Sequence, residues 1–121
     1  MSLQESGEMY LETIFLLTKR SNKVRAIDVC EYMGFSKPSV SRAVNLLKKG
    51  GFIKICELGH ITLTESGLDV AQKIYDRHQL LTSFLIKLGV DKDVASKDAC
   101  KMEHCVSDET FTALKNFIEK N

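Results

Sequence analysis

Cys100, Glu103 and His104 stand within five consecutive residues, and their side chains are those of a transition-metal site. Positions three and four apart share one face of an α-helix, so a helix here projects all three together. Thiolate, carboxylate and imidazole are ligands for first-row divalent metals. The plainer reading of the same stretch is one half-buried cysteine beside two exposed polar residues. What decides between them must come from the rest of the chain.

The chain of 121 residues is long enough for one domain, or for two small ones sharing a boundary. Its 44% hydrophobic and 27% charged content is that of a soluble globular protein. No run approaches the ~18 uninterrupted apolar residues of a membrane span. Residues 1–5 (MSLQE) lack the basic start and apolar core of a signal peptide, so a cytoplasmic location without a membrane partner is expected. The four cysteines, at 30, 56, 100 and 105, form no CxxC pair, which argues for reduced thiols rather than disulfides or a structural zinc site.

A net charge of +1 excludes little, but its distribution is informative. Between Ser36 and Cys56 there are five basic residues (Lys37, Arg42, Lys48, Lys49 and Lys54) and no acidic one. Such a run is often only a solvated face, and it matters where the local structure suits a polyanion.

The local pattern does suit one. Residues 6–19 read as a helix in which Met9 and Glu12 face the same way, although methionine is more often core filler and the glutamate could simply be exposed. Residues 26–33 form a short helix ended by Gly34, with Cys30 most simply a small core residue. Ser36 is an N-cap and Pro38 suits a first turn. Val40, Ala43, Val44 and Leu47 then trace an apolar stripe opposite Lys37, Ser39, Ser41, Arg42, Asn45, Lys48 and Lys49. Two helices joined by a short turn, the second basic on its outer face, are a helix-turn-helix. Residues 52–56 and 60–64 are β-rich around a Glu57-Leu58-Gly59 loop, with Ile53 and Ile55 on one face and Lys54 on the other. A hairpin directly behind a recognition helix is a wing.

Thr64 or Ser66 caps a long helix whose apolar stripe runs through Val70, Ile74, Arg77, Leu81, Leu85 and Leu88 to Gly89. His78 lies near that stripe, where a histidine is ordinarily a satisfied core residue. Residues 91–94 read as a polar connection and 94–104 as the helix carrying the opening motif. Ser107, Asp108 and Glu109 begin a last helix with Phe111, Leu114, Phe117 and Ile118 on one stripe. Helices this small cannot bury that surface alone, and a second copy of the chain would. The expected fold is mainly α: a winged helix-turn-helix DNA-binding domain over residues 1–70, then a helical metal-binding and dimerisation domain over 71–121.

Several stretches, in order, resemble the diphtheria toxin repressor and manganese transport regulator family: EMYLETI at 8–14, KPSVS at 37–41, LTESG at 63–67, Arg77-His78 and Glu103-His104. Each is weak alone, and the ordered set spans nearly the whole chain. The resemblance implies a metal-dependent transcriptional regulator, a repressor of metal-uptake genes, in which bound metal joins the two domains and promotes operator binding. It carries the metal positions onto Met9, Glu12, His78, Cys100, Glu103 and His104. Met9 and Cys100 look like the iron-responsive branch, and Glu12 like the manganese-responsive one. The ancillary site of iron-type members uses His78 with a glutamate and a further histidine. Thr82 and Ser96 stand there instead, which leaves one site, or a compact pair sharing Glu12 and Glu103. In length the chain resembles the two-domain manganese type.

The expected cofactor is Fe2+ or Mn2+, with Co2+, Ni2+ or Zn2+ able to substitute, since the ligand set mixes soft and hard donors. The expected partners are double-stranded operator DNA and a second copy of the chain, with no organic small-molecule substrate. Pro38, Ser39, Ser41, Arg42 and Asn45 are placed to reach base edges, Arg42 suiting guanine and Asn45 adenine. Lys37, Lys48, Lys49 and Lys54 suit phosphates. A metal-independent winged-helix regulator is the alternative. A metalloenzyme is a distant third, because no second catalytic group accompanies the ligands.

Overall fold

The computed structural model describes residues 5–120, so most of the N-terminal stretch read for a targeting signal lies outside the described residues. The chain divides into two compact units, one extending to Gln72 and the other beginning at Lys73. Among the described residues no helix is long and apolar enough to cross a membrane.

The first unit contains α1 (Glu5–Arg20), α2 (Ala26–Met33), α3 (Lys37–Lys49), β1 (Ile53–Ile55), β2 (Ile61–Leu63) and the start of α4 (Glu65–Lys87). Its core joins Leu11 and Ile14 of α1, Val29 of α2, Val40, Val44 and Leu47 of α3, and Ile53 and Ile61 of the two strands. These are the apolar positions of the helical and alternating patterns, so periodicity alone determines which face turns inward. Gly34 ends α2 in the left-handed region (φ 71°) with its N–H bonded to the Cys30 carbonyl at 2.8 Å.

The two strands pair antiparallel, Ile53 with Leu63, Lys54 with Thr62 and Ile55 with Ile61. The Ile61 N–H donates to the Val24 carbonyl at 2.7 Å, which ties the hairpin to the segment between α1 and α2. Thr64 closes the hairpin and opens α4. Its hydroxyl donates to the Gly51 carbonyl at 2.6 Å and accepts from the Gly67 N–H at 3.2 Å, while its own N–H reaches the Phe52 carbonyl at 3.0 Å. Of the two expected caps, Thr64 is therefore the one in use, and Ser66 lies inside the helix. Gly67 must lack a side chain, because a Cβ there would sit 2.0 Å from the Phe52 carbonyl oxygen. The LTESG stretch is thus a joint between wing and helix.

The second unit contains the rest of α4, then α5 (Lys92–Cys105) and α6 (Asp108–Lys120). Ile74, Leu81, Ala95 and Ala99 are its buried apolar residues, joined by two buried charged ones, Arg77 and Glu103. Helix α5 begins two residues before the expected start at 94. Asp91 caps it by accepting the Asp93 N–H at 3.1 Å, and Lys92 and Asp93 form a polar first turn that no apolar periodicity marks. Ser107 caps α6, accepting from the Thr110 N–H at 3.2 Å. The α6 stripe is incompletely covered: Phe111, Leu114 and Ile118 are half-buried and Phe117 is 59% exposed.

Candidate metal centre and nucleic-acid interface

In the first unit, Ser36 accepts a bond from the Ser39 N–H (3.4 Å), and Pro38 occupies the second helical position of α3, where it removes no helical hydrogen bond. Burial of Val40, Val44 and Leu47 fixes the rotation of the helix about its axis. As a result Lys37, Pro38, Ser39, Ser41, Arg42, Asn45, Lys48 and Lys49 are all exposed. Lys54 is exposed on the wing, across the ladder from Thr62. The exposed surface thus offers guanidinium, amide and hydroxyl groups along the helix, with ammonium groups at its ends and on the hairpin. That is the donor set by which a helix reads base edges while lysines hold phosphates. Leu46, 62% exposed on the same helix, has no place in the polar pattern and escapes a reading made from charge alone. Met9 and Glu12 lie three residues apart on α1, both half-buried.

In the second unit, α5 carries Glu103 and His104 with their side chains side by side. The Glu103 side chain is fully buried, as is that of His104. His78 of α4 places Nδ1 2.9 Å from Glu103 Oε2, and His104 Nε2 lies 3.4 Å from Glu103 Oε1. Cys100 sits one turn earlier on α5, half-buried and in no disulfide. A carboxylate between two imidazoles, with a thiol on the same helix, is a soft-and-hard donor set for a first-row divalent ion.

The fit of such an ion can be judged from Glu103 itself. Oε1 is buried and accepts no hydrogen bond among the described residues, and a buried carboxylate left this way costs several kcal/mol unless a cation neutralises it. A divalent metal on Oε1 would supply that charge, so the residues present fit the group. Position 82 contributes only a buried threonine hydroxyl that has no hydrogen bond among the described residues, and position 96 a half-buried serine; neither is a carboxylate or an imidazole.

Arg77 is the residue that pattern reading undervalued. It is 5% exposed, and its Nη1 donates to the carbonyls of Glu103 (3.0 Å) and Val106 (2.6 Å), while Nη2 donates to Asp108 at 2.5 Å. Its guanidinium carbon also lies 5.0 Å from the Phe111 ring centroid. Asp108 is shared with Lys73 at 2.7 Å, and these two cations, Lys73 first, hold its carboxyl below the usual carboxylate range. An arginine in an otherwise apolar stripe was the available signal, since such a residue is rarely buried without partners.

Comparison with known proteins agrees with both halves of this architecture. Residues 2–61 match the iron dependent repressor N-terminal DNA binding domain. Residues 64–121 match the iron dependent repressor metal binding and dimerisation domain. An uncharacterised helix-turn-helix transcriptional regulator of Methanocaldococcus jannaschii is 36% identical over 120 residues, covering 98% of this chain and 96% of that one. The chain belongs to the diphtheria toxin repressor and manganese transport regulator family. The transcriptional regulator MntR of Escherichia coli is 35% identical over 112 residues, covering 93% of this chain and 72% of MntR. The solved structure of the manganese regulator SloR superposes with a TM-score of 0.83 at 29% identity, covering all of this chain and 56% of that one. The chain thus spans little more than half the length of that structural relative. Family membership makes the chain a metal-dependent, DNA-binding transcriptional regulator rather than an enzyme, from a family whose second domain binds metal and dimerises.

Proposed function

We propose that the chain is a cytoplasmic repressor of metal-uptake genes, and that Fe2+ or Mn2+ bound through Glu103, His104, Cys100 and His78 raises its affinity for operator DNA. The observation that carries this is the fully buried Glu103 carboxylate, set between two imidazoles with one oxygen free of hydrogen bonds. The sequence resemblance adds Met9 and Glu12 as the remaining ligands and so supplies the reason metal would act on DNA binding. These two belong to the unit that carries α3. When bound, the metal supplies positive charge and a fixed coordination geometry.

On the protein's side, His78 orients Glu103, and Cys100 offers a thiolate from the preceding turn of α5. Arg42 and Asn45 of α3 meet base edges, with Pro38, Ser39 and Ser41 beside them. Lys37, Lys48, Lys49 and Lys54 hold phosphates. The incompletely covered stripe of Phe111, Leu114, Phe117 and Ile118 pairs with a second copy, giving a homodimer with two recognition helices. Half-sites about 34–36 Å apart, or a multiple of that, follow from such symmetry. Metal coupling of about 1–3 kcal/mol changes operator affinity roughly 5- to 150-fold.

The test is to select duplexes from a randomised pool in the presence of Mn2+. Affinity for the selected operator is then measured anaerobically with Mn2+, with Fe2+, and with chelator. Affinity that rises with either metal and falls with chelator supports the reading. Affinity indifferent to chelator overturns it in favour of a metal-independent winged-helix regulator.

A further inference from the structure

We propose that Arg77 is a positioning residue for the metal centre, holding Glu103 where its free carboxylate oxygen can meet a cation; this rests on the metal-centre reading above. Helix α5 leaves its regular path at Val106, whose backbone is extended (φ −82°, ψ 128°). Val106 still donates its N–H to the Met102 carbonyl at 3.1 Å, but the carbonyls from Glu103 onward lose the amide donors that a continuing helix would bring. Arg77 replaces them, reaching the Glu103 and Val106 carbonyls with one nitrogen and Asp108 at the start of α6 with another.

Its neighbour on α4, His78, takes the other end of the same residue, binding the Glu103 carboxylate at 2.9 Å. Two consecutive residues of one helix therefore hold Glu103 by its backbone and by its side chain. Those two points of attachment limit the rotamers open to Glu103 and direct Oε1, the oxygen without a hydrogen bond, toward His104. Without the backbone hold, the end of α5 can shift, and both Glu103 and His104 move with it. A lysine could reach one carbonyl but not two carbonyls and an aspartate at once, because it lacks the planar fork.

The experiment compares Arg77→Met and Arg77→Lys with the wild-type chain in two measurements. The first is amide hydrogen exchange of the metal-free proteins across the last turn of α5. The second is titration with Co2+ alone, read from its visible absorption. Arg77→Met is expected to exchange faster in that turn, to bind Co2+ about 10- to 100-fold more weakly, as loss of an outer-shell partner does, and to shift the absorption bands. Arg77→Lys should recover part of each. Asp108→Asn, which leaves the carbonyl bonds in place, should keep wild-type Co2+ affinity.

Unchanged exchange with unchanged Co2+ affinity and spectrum in the Arg77 variants overturns the proposal. An Asp108→Asn loss equal to that of Arg77→Met also overturns it, by showing that charge rather than the carbonyl hold is what counts. If Arg77→Met does not fold, the comparison of Arg77→Lys with wild type decides by the same two measurements. A wild-type chain that takes up no Co2+ would sink the metal-centre reading instead, and the exchange data would still decide whether Arg77 holds Glu103.

Discussion

His78 Nδ1 lies 2.9 Å from Glu103 Oε2, and this pairing joins α4 to α5 through a carboxylate that has no solvent exposure. The contact fixes the orientation of the imidazole and the carboxylate toward each other, as partners of a metal ligand do.

Replacing Glu103 separates the cost of burying that charge from its use. Glu103→Gln keeps the shape and can still bond His78, but removes a charge whose burial costs several kcal/mol. The metal-free variant should melt at the wild-type temperature or above. Its Co2+ affinity should fall by more than the roughly 10- to 100-fold that an outer-shell loss causes. Melting curves in chelator and a Co2+ titration check both; a destabilised metal-free protein would mean that the carboxylate is structural.

Cys100, Glu103 and His104 could be singled out in the sequence because they obey helical spacing, and of these the structure sets Glu103 beside His104. The helix-turn-helix was legible for the same reason, and Val40, Val44 and Leu47 are buried as the stripe requires. Arg77 was visible only as an exception, since its partners are two backbone carbonyls and an aspartate about 30 residues away, and no local pattern encodes them. Likewise, Asp91 caps α5 through a single hydrogen bond that apolar periodicity does not see.

Asp108 makes the second unit sensitive to acid. Its carboxyl is held below the usual range by Lys73 and then Arg77, so the folded chain keeps it ionised to lower pH than the unfolded chain does. The stability this contributes is present in full above the unfolded value and is lost as pH falls through the folded one. Melting temperature in chelator, followed from neutral pH downward, should drop across that window in the wild type. Asp108→Asn should start lower at neutral pH and show a flatter acid limb. Parallel curves for the two proteins would show that the Lys73 and Arg77 contacts carry no linkage.

The wing joint should be sensitive to one hydroxyl and one missing side chain. Thr64→Val keeps the volume and removes both the bond to Gly51 and the cap on Gly67, a loss of about 0.5–2 kcal/mol. Gly67→Ala forces a methyl into the Phe52 carbonyl and should cost more than Thr64→Val. Denaturant unfolding ranks the two, and the opposite order would mean that the backbone at Gly67 yields easily.

Lys48→Ala and Lys49→Ala should weaken binding to every duplex by a similar factor. Each neutralised phosphate contributes roughly 0.9 to the slope of log affinity against log salt. Each variant should therefore bind with a slope shallower by about 1, while its preference among sequences is retained. Arg42→Ala should do the reverse, with a relaxed preference at one position and a cost of about 1–3 kcal/mol there. A lysine variant with an unaltered slope would place that residue away from the phosphates.

Metal should divide the cysteines into two classes toward alkylation. Cys56 is exposed, and backbone amides, that of His60 first, lower its thiol below the usual range. At neutral pH it is therefore more fully thiolate than an ordinary cysteine and should react quickly with iodoacetamide whether or not metal is present. Cys100 is half-buried and, as a ligand, would have its sulfur lone pair engaged by the ion. Mass spectrometry of timed labelling should find Cys100 modified in chelator and protected with Mn2+ or Co2+, while Cys56 labels at one rate in both. Equal Cys100 labelling under the two conditions would remove the thiol from the coordination sphere and leave Glu103 and His104 to hold the metal without it.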